Sequence, residues 1–120
     1  MTMKFSELPE FSREFRRYAK KYLSLPSDLR EFKEILAAVP LGNSKHFAVL
    51  ACQEHIKIVK ARFFCRYLKG SALRMVYAYY PEPQAVEFIE IYAKNEKSRE
   101  DYSRIREYLK KTKFFYGNSV

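Results

Sequence analysis

The sequence predicts an α+β domain: an antiparallel sheet of three to four strands, an N-terminal helical hairpin on one face, and a C-terminal helix. Three observations carry that expectation. Apolar residues recur at helical spacing up to Val39 and again after Ser98. Between Lys57 and Lys94 they fall instead into three short runs rich in β-branched and aromatic residues. Gly70-Ser71 and Pro81-Glu82-Pro83 separate those runs, and connections this short join antiparallel neighbours.

The totals bound the class. A chain of 120 residues with 48% hydrophobic and 17% aromatic residues suits one domain, 1–120, with a modest core, and argues against disorder. No apolar run approaches a membrane span, and MTMKFSELPEF lacks the apolar core of a signal peptide, so a cytoplasmic protein without membrane contact is expected. Cys52 and Cys65 supply neither a disulfide framework nor a metal set; Cys65 reads as a small core residue. The net charge of +9 favours nucleic acid, an acidic protein partner, or both.

In chain order, Met3 to Ser6 is a candidate short strand. Leu8, Phe11, Phe15, Tyr18, Ala19, Tyr22 and Leu23 then form a helical stripe, with Glu10, Arg13, Arg16, Arg17, Lys20 and Lys21 between them. Leu25-Pro26 ends this helix, since the residue before a proline resists helical angles. Pro26, Ser27 and Asp28 suit the start of a second, with an acid at the positive end of its dipole. Leu29, Phe32, Ile35, Leu36 and Val39 give that helix its stripe, and Pro40 with Gly42 ends it. Phe47 to Ala51 reads as a strand or a buried connector. The three central runs follow, and Ser98 with Asp101 makes an approximate capping box for a last helix built on Tyr102, Ile105, Tyr108 and Leu109. Residues 113–120 read as a loose tail.

Alternation along the first central run puts Val59, Ala61, Phe63, Cys65 and Tyr67 on one side, and Lys60, Arg62 and Arg66 on the other. The second run alternates Leu73, Met75, Tyr77 and Tyr79 with Arg74, Val76, Ala78 and Tyr80. In the third, Ile89, Ile91 and Ala93 alternate with Phe88, Glu90, Tyr92 and Lys94. From His55 to Pro81 there is no Asp or Glu, against Lys57, Lys60, Arg62, Arg66, Lys69 and Arg74. The expected sheet therefore has an apolar face under the helices and an open cationic face. Such a face calls for an anion.

The strings KARFFCRYLKG, LRMVYAYY and FIEIYAKNEK leading into REDYSRIREYLK, in that order from about Met3 to Lys111, resemble the RelE/ParE superfamily of bacterial type II toxins. The resemblance, with the RelE/HigB-like branch favoured, implies a small mRNA endonuclease acting in the ribosomal A site and blocking translation. It also implies a cognate antitoxin, with operator DNA reached only through the antitoxin complex. The residues themselves offer no metal-ligand cluster, so neither metal nor cofactor is expected. Carried over by motif, the catalytic positions are Lys69 at the end of the first long strand, Arg74 opening the next, Lys94 after the last, and Tyr102. Lys94 departs from the family pattern, where arginine is usual; lysine lacks the bidentate fork.

RNA brings its own nucleophile, so positioning and positive charge would supply most of the acceleration. Arg62, Arg66 and Arg74 are the expected phosphate holders, with Lys60 beside them. Lys69 or Lys94 is the expected acid or base if burial among cations shifts it, and Tyr92 or Tyr102 the expected stacking or proton-donating group. Glu90 is either a base or a cross-strand partner of Arg66 or Arg74. Arg62 and Lys60 are alternatively solvated charges, Tyr77 and Tyr79 core residues, and His46 and His55 general bases or plain loop histidines. Two other functions fit the same residues: a ParE-like gyrase inhibitor without nuclease activity, and a non-catalytic nucleic-acid-binding module or degenerate toxin.

Overall fold

The computed structural model describes residues 2–42, 45–69 and 72–117, with residues 113–117 described as backbone only. Its elements are β1 (Lys4–Glu7), α1 (Pro9–Lys21), α2 (Leu25–Ala38), β2 (Phe47–Gln53), β3 (Ile56–Phe64), a 3-10 turn (Arg66–Leu68), β4 (Ala72–Tyr80), β5 (Ala85–Ala93) and α3 (Tyr102–Gly117). The α+β class holds. The sheet, however, has five strands in the order β1-β5-β4-β3-β2, and it is mixed. β1 runs parallel to β5, with Lys4 opposite Ala85, whereas β2, β3, β4 and β5 form antiparallel neighbours. The expectation of three to four antiparallel strands missed β1's partner because KFSE is only four residues long and pairs with a strand 81 positions away. Phe47 to Ala51 resolves as part of a strand, at the opposite edge.

The helical pair forms as its spacing predicts, with proline in the first turn of each helix. It is less a self-packed hairpin than two helices laid on the sheet: α1 lies mainly against β5 and touches α2 little. Phe11, Tyr18, Leu25, Leu29, Phe32 and Leu36 meet Val59, Phe63, Leu73, Met75, Tyr77 and Phe88 in the main core. Phe11 and Phe88 stack at 5.3 Å, and Phe32 meets Phe63 edge-on at 5.3 Å. Cys65 and Tyr77 are buried here, as expected, and Tyr79 is half-buried against the same core.

The other face is not fully open. α3 covers part of it, packing Ile105 and Tyr108 on Ile56, Ile58, Val76, Ala78, Ile89 and Tyr92. A bulge in β5 makes room for this contact: Val76 pairs with Glu90 but Tyr77 with Phe88, leaving Ile89 extra. Phe88 thus joins the helical core and Ile89 turns to α3, reversing the alternation expected for those two. The cap of α3 is Asp101, whose Oδ1 accepts the Arg104 amide at 3.0 Å; the box expected from Ser98 is shifted by three residues. The expected Gly70-Ser71 turn lies outside the described residues. Of the expected loose tail, 113–117 continue α3 in backbone and the rest lies outside them.

Candidate nucleic-acid interface

What α3 leaves uncovered is the far end of the same face. There β3, β4 and β5 present a row: Arg62 is directly opposite Arg74, and Arg74 is directly opposite Tyr92. One step along, Lys60 stands opposite Val76, and Val76 opposite Glu90. Among the described residues neither Arg62 nor Arg74 is in a salt bridge. Arg62 lies 5.6 Å from the Phe64 ring, and Arg74 donates a long bond of 3.4 Å to the Ala72 carbonyl. Like charges facing each other across strands repel. An anion between them would relieve that.

Two clefts share these guanidinium groups. One, of about 290 Å³, is lined by Tyr22, Arg62, Arg74, Lys94 and Asn95 together with apolar neighbours. The other, of about 250 Å³, takes in Lys45, His46, Lys60, Arg62 and Arg74. Among the described residues no carboxylate lines either one. Lys94 reaches its place because the chain turns just after β5, with the Glu96 amide bonded to the Ala93 carbonyl at 3.0 Å.

The remaining expected residues divide. Lys69 is exposed, in the left-handed conformation (φ 43°) that ends the 3-10 turn, next to the cleft residue Leu68. The turn itself is tied to α2: buried Asp28 accepts the Arg66 amide at 3.2 Å, and the Ser24 hydroxyl accepts the Tyr67 amide at 3.0 Å. Arg66 does not stand beside Arg62. β3 ends at Phe64, the alternation stops, and the Arg66 side chain pairs with Glu31 and Asp28 of α2. Lys69 and Lys94 are both exposed, so the burial that the expected acid or base role rests on is missing.

Glu90 is 0% exposed and pairs with Lys97, not with Arg66 or Arg74; it also accepts the Asp101 amide at 2.9 Å. It pins the loop between β5 and α3. Tyr92, 3% exposed, offers no free ring face: the Lys97 ammonium lies over it at 5.3 Å. Burial, then the neighbouring Glu100 and Glu90 carboxylates, push its hydroxyl up to about 12. Tyr102 opens α3 at 46% exposure, with Arg99 over its ring.

Lys60 is engaged by Glu100 at 3.0 Å. Burial alone raises the Glu100 carboxyl, but its own backbone amide, Lys60 and Tyr102 together bring it below the usual carboxylate range. Glu100, 4% exposed, was not singled out from the sequence, since a lone acid before a helix resembles any capping residue. Tyr22 and Tyr67 were also missed as site residues. Their rings meet at 6.1 Å beside the cleft, Tyr67 being exposed, although helical spacing had placed Tyr22, and alternation Tyr67, on apolar faces.

No protein-family model and no curated protein sequence matches the chain. Solved structures do match its fold. A chain of the archaeal RelE–RelB complex from Pyrococcus horikoshii OT3 aligns with a TM-score of 0.61 at 15% identity, over 81% of this chain and 100% of that one. A double arginine-to-alanine mutant of the E. coli toxin RelE in the free state aligns with a TM-score of 0.54 at 15% identity, over 81% of this chain and 88% of that one. The chain has the RelE fold, in agreement with the resemblance of its strings, and this likeness is common ground for the branches that share the fold.

Proposed function

We propose that the chain is the toxin of a type II toxin-antitoxin pair, an endoribonuclease that cuts mRNA on the ribosome and so inhibits translation. The observation that carries this reading is the facing pair Arg62 and Arg74, which among the described residues has no carboxylate partner and is shared by two clefts that no described carboxylate lines. A phosphodiester supplies the non-bridging oxygens that such a pair lacks.

In the proposed reaction the ribose 2′-oxygen bonds to the adjacent phosphorus while the bond from phosphorus to the 5′-oxygen breaks. The 2′-hydroxyl loses its proton and the departing 5′-oxygen gains one, leaving a cyclic phosphate and a 5′-hydroxyl. Arg62 and Arg74 hold the phosphate oxygens as charge builds on them. Lys94, lining the same cleft, serves the phosphate or the leaving oxygen, and Lys69 follows the lining residue Leu68 in the chain. Tyr22 and Tyr67 take the stacking role first expected of Tyr92, worth roughly 1–3 kcal/mol per base.

A cognate antitoxin would seat in a third cleft, of about 320 Å³, between α2 and β3, where Phe32, Ile35, Phe47, Phe63 and Phe64 lie beside Arg62; Asp28 and Glu31 also line it and hold Arg66. A segment with an apolar anchor and a carboxylate directed at Arg62 suits that surface. Once there it would reach Arg62 and exclude RNA. Operator DNA would be bound only through the antitoxin.

The test uses a translating extract with a defined mRNA, comparing wild type with Arg74→Ala and Lys69→Ala. Arg74→Ala is expected to slow cleavage by about 10²–10³-fold. Cleavage by both variants at the wild-type rate removes the site assignment. A wild type that cuts nothing but stops gyrase supercoiling replaces the reading altogether.

A further inference from the structure

The outer face of α1 is a second basic surface, separate from the facing arginines. At 100° per residue Arg13, Arg16, Arg17, Lys20 and Lys21 share one side of the helix, opposite buried Phe11 and Tyr18. All five are exposed. Arg17 is taken by Glu96 at 3.2 Å, and Glu10 is the exposed acid in the first turn. Glu14 turns inward to Arg104 at 2.7 Å. Arg13, Arg16, Lys20 and Lys21 are in no salt bridge among the described residues. Arg13 to Lys20 spans roughly 10 Å of helix.

We infer that this stripe binds the phosphate backbone of double-helical RNA, beside the cleft rather than in it. Three observations select that ligand. First, among the described residues no exposed large apolar side chain lies on α1 itself; Leu23, exposed two residues beyond its end, is a single apolar group and falls short of the clustered anchor a protein partner needs. The contrast is α2, with Ile35 exposed and Glu31 and Glu34 interleaved with Arg30 and Lys33. Second, α1 presents no exposed ring on which a single-stranded base would stack, whereas a duplex backbone asks only for charge. Third, the stripe adjoins the cleft: Tyr22, which caps α1, lines it together with Lys94 and Asn95, and the next residue, Glu96, holds Arg17. The choice of RNA over DNA rests on the nuclease reading above; the stripe and its ligand charge do not.

The test measures binding, not cutting. A blunt RNA duplex of about 16 bp, a DNA duplex of the same sequence, and a poly-glutamate peptide are titrated by fluorescence anisotropy across a salt series. The variant carries Arg13→Gln, Arg16→Gln, Lys20→Gln and Lys21→Gln, all on exposed positions. Wild type is expected to bind the RNA duplex with steep salt dependence. The variant should weaken it about tenfold or more at low salt and lower the log–log salt slope by about 3. Arg13→Lys with Arg16→Lys keeps the charge and should keep the slope, which separates loss of charge from loss of fold. Arg74→Ala should keep duplex binding even where cleavage is lost. A wild type that binds the duplex but cuts no RNA leaves the stripe standing and removes the nuclease. Unchanged affinity and slope in the four-glutamine variant overturn the inference. Equally tight binding of the DNA duplex overturns the choice of RNA, and a loss confined to the peptide overturns it in favour of an acidic protein.

Discussion

Two halves of one sheet face behave differently. On β3 the outward residues are Ile56 and Ile58, then Lys60 and Arg62; on β4 they are Ala78 and Val76, then Arg74. The apolar half is sealed by α3, through Ile105 and Tyr108. The basic half is open to clefts of about 290 and 250 Å³. Strand alternation is the same in both; only side-chain chemistry changes along the strand. Apolar residues drive a helix onto the sheet because burying them is favourable. Facing arginines would have to be stripped of water and left unpaired under a helix, which costs several kcal/mol per ion. The boundary between fold and site is thus a desolvation boundary, and the loop pinned by Glu90 and Glu100 runs along it.

That contrast is broken most severely from the sealed side. Tyr108 is buried and its hydroxyl donates to Glu87 at 2.7 Å while meeting that of Tyr80. Tyr108→Ala should cost about 3–5 kcal/mol of stability by urea denaturation; a loss under 1 kcal/mol would mean that α3 is not part of the folded unit. Asp101→Ala removes the helix cap, with an expected cost of about 1 kcal/mol. Its circular dichroism should show weaker helical signal, and an unchanged melt would count against the cap.

At the boundary, pH is the probe. The folded Glu100 carboxyl lies below its ordinary range. Its contribution is therefore fully present above the unfolded value of about 4.3 and is lost as pH falls through the folded one. Stability measured from about pH 6 to about pH 3 should fall less steeply in Glu100→Gln than in wild type. Parallel curves would show that the Lys60 pair contributes nothing. The smallest effect belongs to the open half: Arg62→Gln relieves repulsion with Arg74 and should raise stability by a few tenths of a kcal/mol. A clear loss would reveal a structural partner for Arg62.

Much of this was legible residue by residue. Helical spacing located both helices, although Leu25-Pro26, read as the stop of the first, opens α2 four residues after α1 ends at Lys21; alternation assigned the faces of β3 and β4 correctly, and the stretch from His55 to Pro81 without carboxylates is the one that carries the facing arginines. Arg62, Arg74 and Lys94 do come together. Glu90, Tyr92 and Arg66 read like their neighbours, yet each is held elsewhere, by Lys97, by the α3 core and by α2.

The chain by itself determined which segments become helix or strand, since those periods arise from local backbone geometry repeated over a few residues. It also determined the excess of cations. Tertiary structure alone decided that β1 joins β5 in parallel, that a bulge sends Ile89 to α3, and that this helix lies on the apolar half of the face and leaves the basic half uncovered. The physical reason is range: each of those outcomes depends on contacts between residues far apart in sequence, and no local pattern encodes a partner it does not touch.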